Sequence, residues 1–96
     1  MSGVDKEKLI QLCQKYNIVY LALFGSHARG DETKESDIDL LARFDPEISL
    51  LEHVRIQREI SEALGRKVDL LTEGSVHPYL KDSIYEDLVV LYGKAG

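Results

Sequence analysis

Three aspartates and one Gly-Ser pair carry the chemistry open to this chain. Gly25-Ser26 is followed, after ten residues, by Asp37-Ile38-Asp39, and Asp69 lies further on within Lys67–Thr72 (KVDLLT). In an extended segment Asp37, Asp39 and Leu41 point one way and Ile38 and Leu40 the other. The two carboxylates then stand about 7 Å apart along the chain. Ionised and facing the same way they repel, and only solvent, basic partners or metal ions offset that cost. Asp69 is the polar residue in an otherwise apolar Val-Asp-Leu-Leu run, the kind of polar residue that carries information. Paired with Arg66 or Lys67 it is merely structural. Gathered with Asp37 and Asp39, it makes an all-oxygen set suited to hard divalent cations, Mg²⁺ above all. Gly-Ser at a strand end supplies the complement, because glycine admits close backbone approach and free N–H groups at a helix start attract phosphate. A phosphate cradle beside a metal site is the apparatus of in-line displacement at phosphorus with two metal ions.

These residues need elements to hold them. Leu9, Leu12, Cys13 and Tyr16 recur at helical spacing, with Asp5 as N-cap and Asn17 as stop. Ile18–Phe24 (IVYLALF) is a continuous apolar run, as in a strand buried on both faces. Residues 26–30 read as a helical turn, 31–36 as an exposed loop, and 37–44 as a second strand ended by Asp45-Pro46. Ser49 and Glu52 form a capping-box pattern that opens a helix to about Leu64, with Leu50, Val54, Ile60 and Leu64 on one broad face and Gly65 just past its end. Residues 67–72 read as a third strand. Pro78 opens a last helix over Leu80 and Ile84, and 89–92 is either a short strand or the end of that helix. The helix between the second and third strands makes a crossover, so those strands run parallel. The short link from first to second favours an antiparallel pair. On this reading Gly25, Ser26, Asp37, Asp39 and Asp69 converge on one edge of a small mixed sheet with flanking helices, an α/β (α+β) fold.

Composition narrows the function classes. Ninety-six residues make one domain, 1–96. With 12 Lys+Arg against 17 Asp+Glu the net charge is −5, which argues against direct binding of nucleic acid or anionic membranes. One cysteine, Cys13, forms no internal disulfide and reads as helix packing rather than a catalytic thiol. Without a leader-like segment or a long apolar run, the expected setting is the cytoplasm.

The same residues carry a family pattern. Gly-Ser-x10-Asp-x-Asp, within Phe24–Gly30 (FGSHARG) and Ser36–Leu41 (SDIDLL), closely resembles the minimal nucleotidyltransferase (MNT) domains of the DNA polymerase β-like nucleotidyltransferase superfamily. Residues 65–71 (GRKVDLL) resemble that family's third-carboxylate segment, and the ending VVLY fits as well. The resemblance implies a palm-like fold, ATP as donor and AMP as the transferred group. It implies an antitoxin that adenylylates a tyrosine of a HEPN-domain toxin partner. Carried over by position, Asp37 and Asp39 bind a pair of Mg²⁺ ions and Asp69 binds the catalytic one. Gly25 and Ser26 hold the triphosphate. Arg29 joins them as a nucleotide contact, with a salt bridge to an acidic neighbour as its alternative. His27 departs from the commoner Gly-Ser-Arg form and costs the cradle a fixed positive charge; His53 and His77 read as surface or helix residues. With no second domain to grip an acceptor, the chain must borrow that site from a partner or from a second copy of itself. The competing reading is a binding module that neutralises its toxin by covering it, with structural carboxylates. AMP transfer to a small molecule or to RNA is a third.

Overall fold

The computed structural model describes residues 5–31 and 33–93; Glu32 of the expected loop and the outermost residues of the expected domain fall outside those ranges. The first helix, α1 (Lys6–Lys15), is capped by the Asp5 carboxylate, which accepts from the Lys8 N–H at 3.1 Å. It stops where Asn17 takes a positive φ of 59°. Strand β1 (Ile18–Phe24) runs into the four-residue helix α2 (Ser26–Arg29). Strand β2 (Ile38–Phe44), helix α3 (Leu50–Leu64), strand β3 (Val68–Thr72), helix α4 (Pro78–Glu86) and strand β4 (Val89–Tyr92) follow. The last segment is therefore a strand.

The strands form one sheet in the order β3-β2-β1-β4. β2 and β3 are parallel, and β1 is antiparallel to both of its neighbours, β2 and β4. Ile38, Leu40, Ala42 and Phe44 of β2 face α1 and α3, where Leu9, Cys13, Ile56 and Ile60 complete the larger core. Leu41 faces the other way, into a smaller cluster with Tyr20, Ala22 and Ile84 of α4. The alternation expected of a strand thus places Asp39 on the α4 side of the sheet. That side is only partly covered, which leaves room for a site. Val19 is exposed and marks a slip in the β1–β2 register between Ile18 and Tyr20, so β1 is buried on both faces from Tyr20 to Leu23 and less so at its ends.

Helix α3 differs from its reading in the sequence. Ser49 Oγ accepts from the Glu52 N–H at 3.2 Å, and Gly65 closes the helix with φ 66°. Leu50 and Val54, however, are 79% and 48% exposed. The first turns overhang the sheet, and burial begins with Ile56 and Ile60. The polar face of α3 has its own task. Gln57 Oε1 accepts from the Leu70 N–H at 2.9 Å, His53 Nε2 donates to the Leu70 carbonyl at 2.6 Å, and Ser61 Oγ accepts from the Val68 N–H at 3.0 Å. The free edge of β3 is therefore closed by side chains rather than left as a template for another strand. His53 is part of that closure. Residue Cys13 is fully buried in the core, and burial pushes its thiol up to about 12, which rules out a thiolate nucleophile at neutral pH.

The corrected face of α3 makes a prediction. Ile60→Ala should cost about 2–5 kcal/mol in urea unfolding, because it opens a cavity in the larger core. Leu50→Ala should stay within about 0.5 kcal/mol of the parent.

Candidate active site

Strand pairing brings the expected residues together. Asp39 pairs in register with Phe24 on one side and with Asp69 on the other. Gly25 follows Phe24 directly, so the Gly-Ser turn sits against the strand that carries the aspartates. Gly25 adopts φ 75° and ψ −154°, a conformation kept almost entirely for glycine. A second constraint fixes glycine there: a Cβ on Gly25 would collide with Oδ2 of Asp39. Backbone and carboxylate are packed directly on each other.

The turn itself is built from backbone bonds. The Gly25 carbonyl accepts from the Ala28 and Arg29 N–H groups, both at 3.1 Å, and the Ser26 carbonyl from those of Gly30 (3.0 Å) and Asp31 (3.1 Å). The amides of Ser26 and His27 precede the first of these bonds and belong to the open end of the turn. That end lies beside Asp39.

The electrostatics are those of crowded like charges. Asp39 is half-buried, and its carboxyl is raised above the ordinary value of 3.8, first by burial, then by Asp69 and by Asp37. His27 and Arg29 work against that rise. Asp69 is exposed. Asp37 is half-buried and faces Lys67 Nζ at 3.7 Å, a loose pair because Lys67 is largely exposed. Lys67, by sequence a candidate partner of Asp69, lies against Asp37 instead, because the parallel register that pairs Ile38 with Val68 sets Lys67 beside Asp37.

Two residues lie differently from the simple cradle picture. Arg29 Nε donates to Asp31 at 3.1 Å, and its Nη1 lies 3.7 Å from Asp87 at the end of α4. As oriented it ties the turn to α4. His27 is buried, its ring turned away from the cradle to Ser36 and Arg66. Arg43 shares the face of Asp39 but is held by Glu73 at 2.7 Å. A cavity of about 770 Å³, lined by Phe44, Ile48, Leu50, His53, Leu71 and Glu73 among others, opens near the C-terminal ends of β2 and β3; none of the expected site residues lines it.

The donor set suits a hard cation. It is all carboxylate oxygen, and its central member is destabilised by negative neighbours that a cation would offset. Among the described residues no three ligating side chains stand close enough to close on one ion as oriented. One ion held by all three carboxylates would require side-chain rotation that brings Asp37 and Asp69 toward Asp39.

Comparison with known proteins agrees with this fold. Residues 6–91 match the nucleotidyltransferase domain family. A candidate protein adenylyltransferase of Methanocaldococcus jannaschii, MJ0435, is 43% identical over 84 residues, 88% of this chain and 90% of its own length. The protein adenylyltransferase MntA of Thermococcus cleftensis is 27% identical over 79 residues, 82% of this chain and 80% of its own length. In fold, the chain superposes with a TM-score of 0.84 on a chain of a toxin–antitoxin crystal structure with AMP-PNP, at 22% identity, covering 95% of this chain and 75% of that one. A chain in the complex of tri-AMPylated Shewanella oneidensis HEPN toxin with its MNT antitoxin gives 0.74 at 21% identity, covering 93% and 70%.

Two outcomes follow from the packing of Gly25 on Asp39. Gly25→Ala should destabilise the fold by at least about 1 kcal/mol from backbone strain alone, and displace the Asp39 side chain, visible as shifted Asp39 resonances in NMR. Asp39→Asn should have the opposite sign. A carboxyl raised in the folded state holds its proton longer there than when unfolded, so folding loses stability as pH rises through its folded pKa. Metal-free Asp39→Asn should therefore melt at or above the parent temperature at pH 7. The gap should close below pH 3.8, where both states of the parent are protonated.

Proposed function

The chain belongs to the nucleotidyltransferase domain family, and from that premise we propose that it is a Mg²⁺-dependent protein adenylyltransferase that moves AMP from ATP to a tyrosine hydroxyl of a HEPN-domain toxin. The observation that carries this reading is the contact of Asp39 with Gly25, which joins the carboxylates to the phosphate cradle in one site. The names of the relatives and the toxin–antitoxin complexes of the same fold support the substrate class and the partner.

On this reading the amides at Ser26 and His27 bind the outgoing phosphates. Asp37, Asp39 and Asp69 would hold Mg²⁺ beside them. Mg²⁺, when bound, offsets the charge of the triphosphate and acidifies the incoming hydroxyl. The tyrosine hydroxyl gives up its proton, to Asp69 or to solvent, as its oxygen attacks the α-phosphorus in line. The bond to the α–β bridging oxygen breaks, and pyrophosphate leaves with that electron pair. The half-burial of Asp39 limits water there, so the charges act at short range in a low dielectric. Asp69 is exposed, and it is the ligand an approaching partner can complete.

Incubation with a HEPN-domain partner from the same genome, Mg²⁺ and ATP tests the reading by intact mass. The partner should gain adenylyl groups. Asp69→Asn should lower that rate by about 100-fold or more while MgATP binding, followed by calorimetry, weakens far less, because its ligand role matters most as charge develops. Neutralisation of the toxin with no mass gain, unchanged by Asp69→Asn, would instead support a module that acts by covering its partner.

A further inference from the structure

His27 lies between the cradle and the aspartates in sequence, yet its side chain enters neither. It is 5% exposed, the one buried polar residue among those described. Its Nε2 is 3.4 Å from the Ser36 carbonyl and 3.3 Å from Arg66 Nη1. Ser36 precedes Asp37. Arg66 sits at the turn into β3, three residues before Asp69. His27 itself is the second residue of α2, directly after Ser26. One imidazole thus touches all three segments that bring residues to the site.

The ring's chemistry singles out one atom. A neutral imidazole carries a single hydrogen. Placed on Nε2, it is donated to the Ser36 carbonyl; placed on Nδ1, it leaves Nε2 free to accept from the Arg66 guanidinium. Either way Nε2 is the atom that links the segments. Nδ1 is buried with no partner among the described residues, a cost that a side chain chosen only for its volume would not carry. We propose that His27 is a positioning residue whose Nε2 ties the cradle helix, in one tautomer to the segment leading into Asp37 and in the other to the segment leading into Asp69, and so sets the spacing between phosphate cradle and metal ligands. Only its consequence for nucleotide affinity rests on the function proposed above; the structural tie stands apart from it.

Two amide side chains separate the nitrogens. Glutamine sets a polar atom near the Nε2 position, and asparagine sets one near Nδ1. Amide hydrogen exchange of the whole chain reads the tie without any nucleotide. In His27→Asn and His27→Leu the amides of Ala28–Asp31 should exchange at least about tenfold faster, while those of Leu21 and Leu40 in the sheet stay as in the parent. His27→Gln should restore protection. In the same proteins MgATP should bind about tenfold or more weakly in the Asn and Leu variants and near the parent value in Gln. Arg66→Ala, which leaves the core intact, should also speed exchange of Ala28–Asp31, and that effect should shrink in the His27→Asn background, since the two act through one contact. The proposal is overturned if His27→Leu or Arg66→Ala leaves α2 exchange at the parent rate, if all amides speed up together, or if Gln fails as completely as Asn. A parent that does not bind MgATP at all would reject the proposed function, and the exchange result would still decide the role of His27.

Discussion

The contact of the Asp39 carboxylate with the backbone of Gly25 is the constraint on which the rest of the site depends. It forbids a side chain at Gly25 and holds a half-buried carboxylate beside two others. That arrangement is unfavourable for the bare fold: burial and like charge both raise the Asp39 carboxyl. The sheet tolerates it because β1, β2 and β3 are held from the opposite face by the larger core, where Ile38, Leu40, Val68 and Leu70 pack against α1 and α3. One face of β2 supplies stability and the other carries the strain. Sites that bind charge are commonly built this way, with the cost met by structure elsewhere.

Much of this was legible in the sequence, for identifiable reasons. The period of two along 37–44 placed Asp39 and Leu41 opposite Ile38 and Leu40, and the strand kept it. The length of the α3 crossover set β2 and β3 parallel, which put Asp39 beside Asp69 in register. Asp5, Asn17, Ser49, Gly65 and Pro78 each mark a helix end through local chemistry, and each does so in the fold. Local signals sufficed because the elements are short and end in strong caps.

What was not legible depends on contacts far apart in the chain. Helical spacing alone placed Leu50 and Val54 with Ile60, but the first turns of α3 present His53 to β3 and leave Leu50 and Val54 facing solvent. The Arg29 contact with Asp87 depends on where α4 ends. His27 looked like a weakened cradle residue; its burial against Arg66, 39 residues away, follows from the packing of the β3 turn under α2. The contact of Lys67 with Asp37 likewise depends on the register in which β3 pairs with β2.

On the proposed function, cation and nucleotide meet where Gly25, Asp37, Asp39 and Asp69 converge. The most direct measurement is paramagnetic broadening of amide NMR signals on titrating Mn²⁺ in place of Mg²⁺ with ATP present. The signals of Gly25, Ser26, Ile38, Asp39 and Asp69 should vanish first, and those of Glu47 and Glu73, which line the separate cavity, should persist longer. Broadening that begins at Glu47 and Glu73, or spreads evenly over the acidic surface, would contradict this reading.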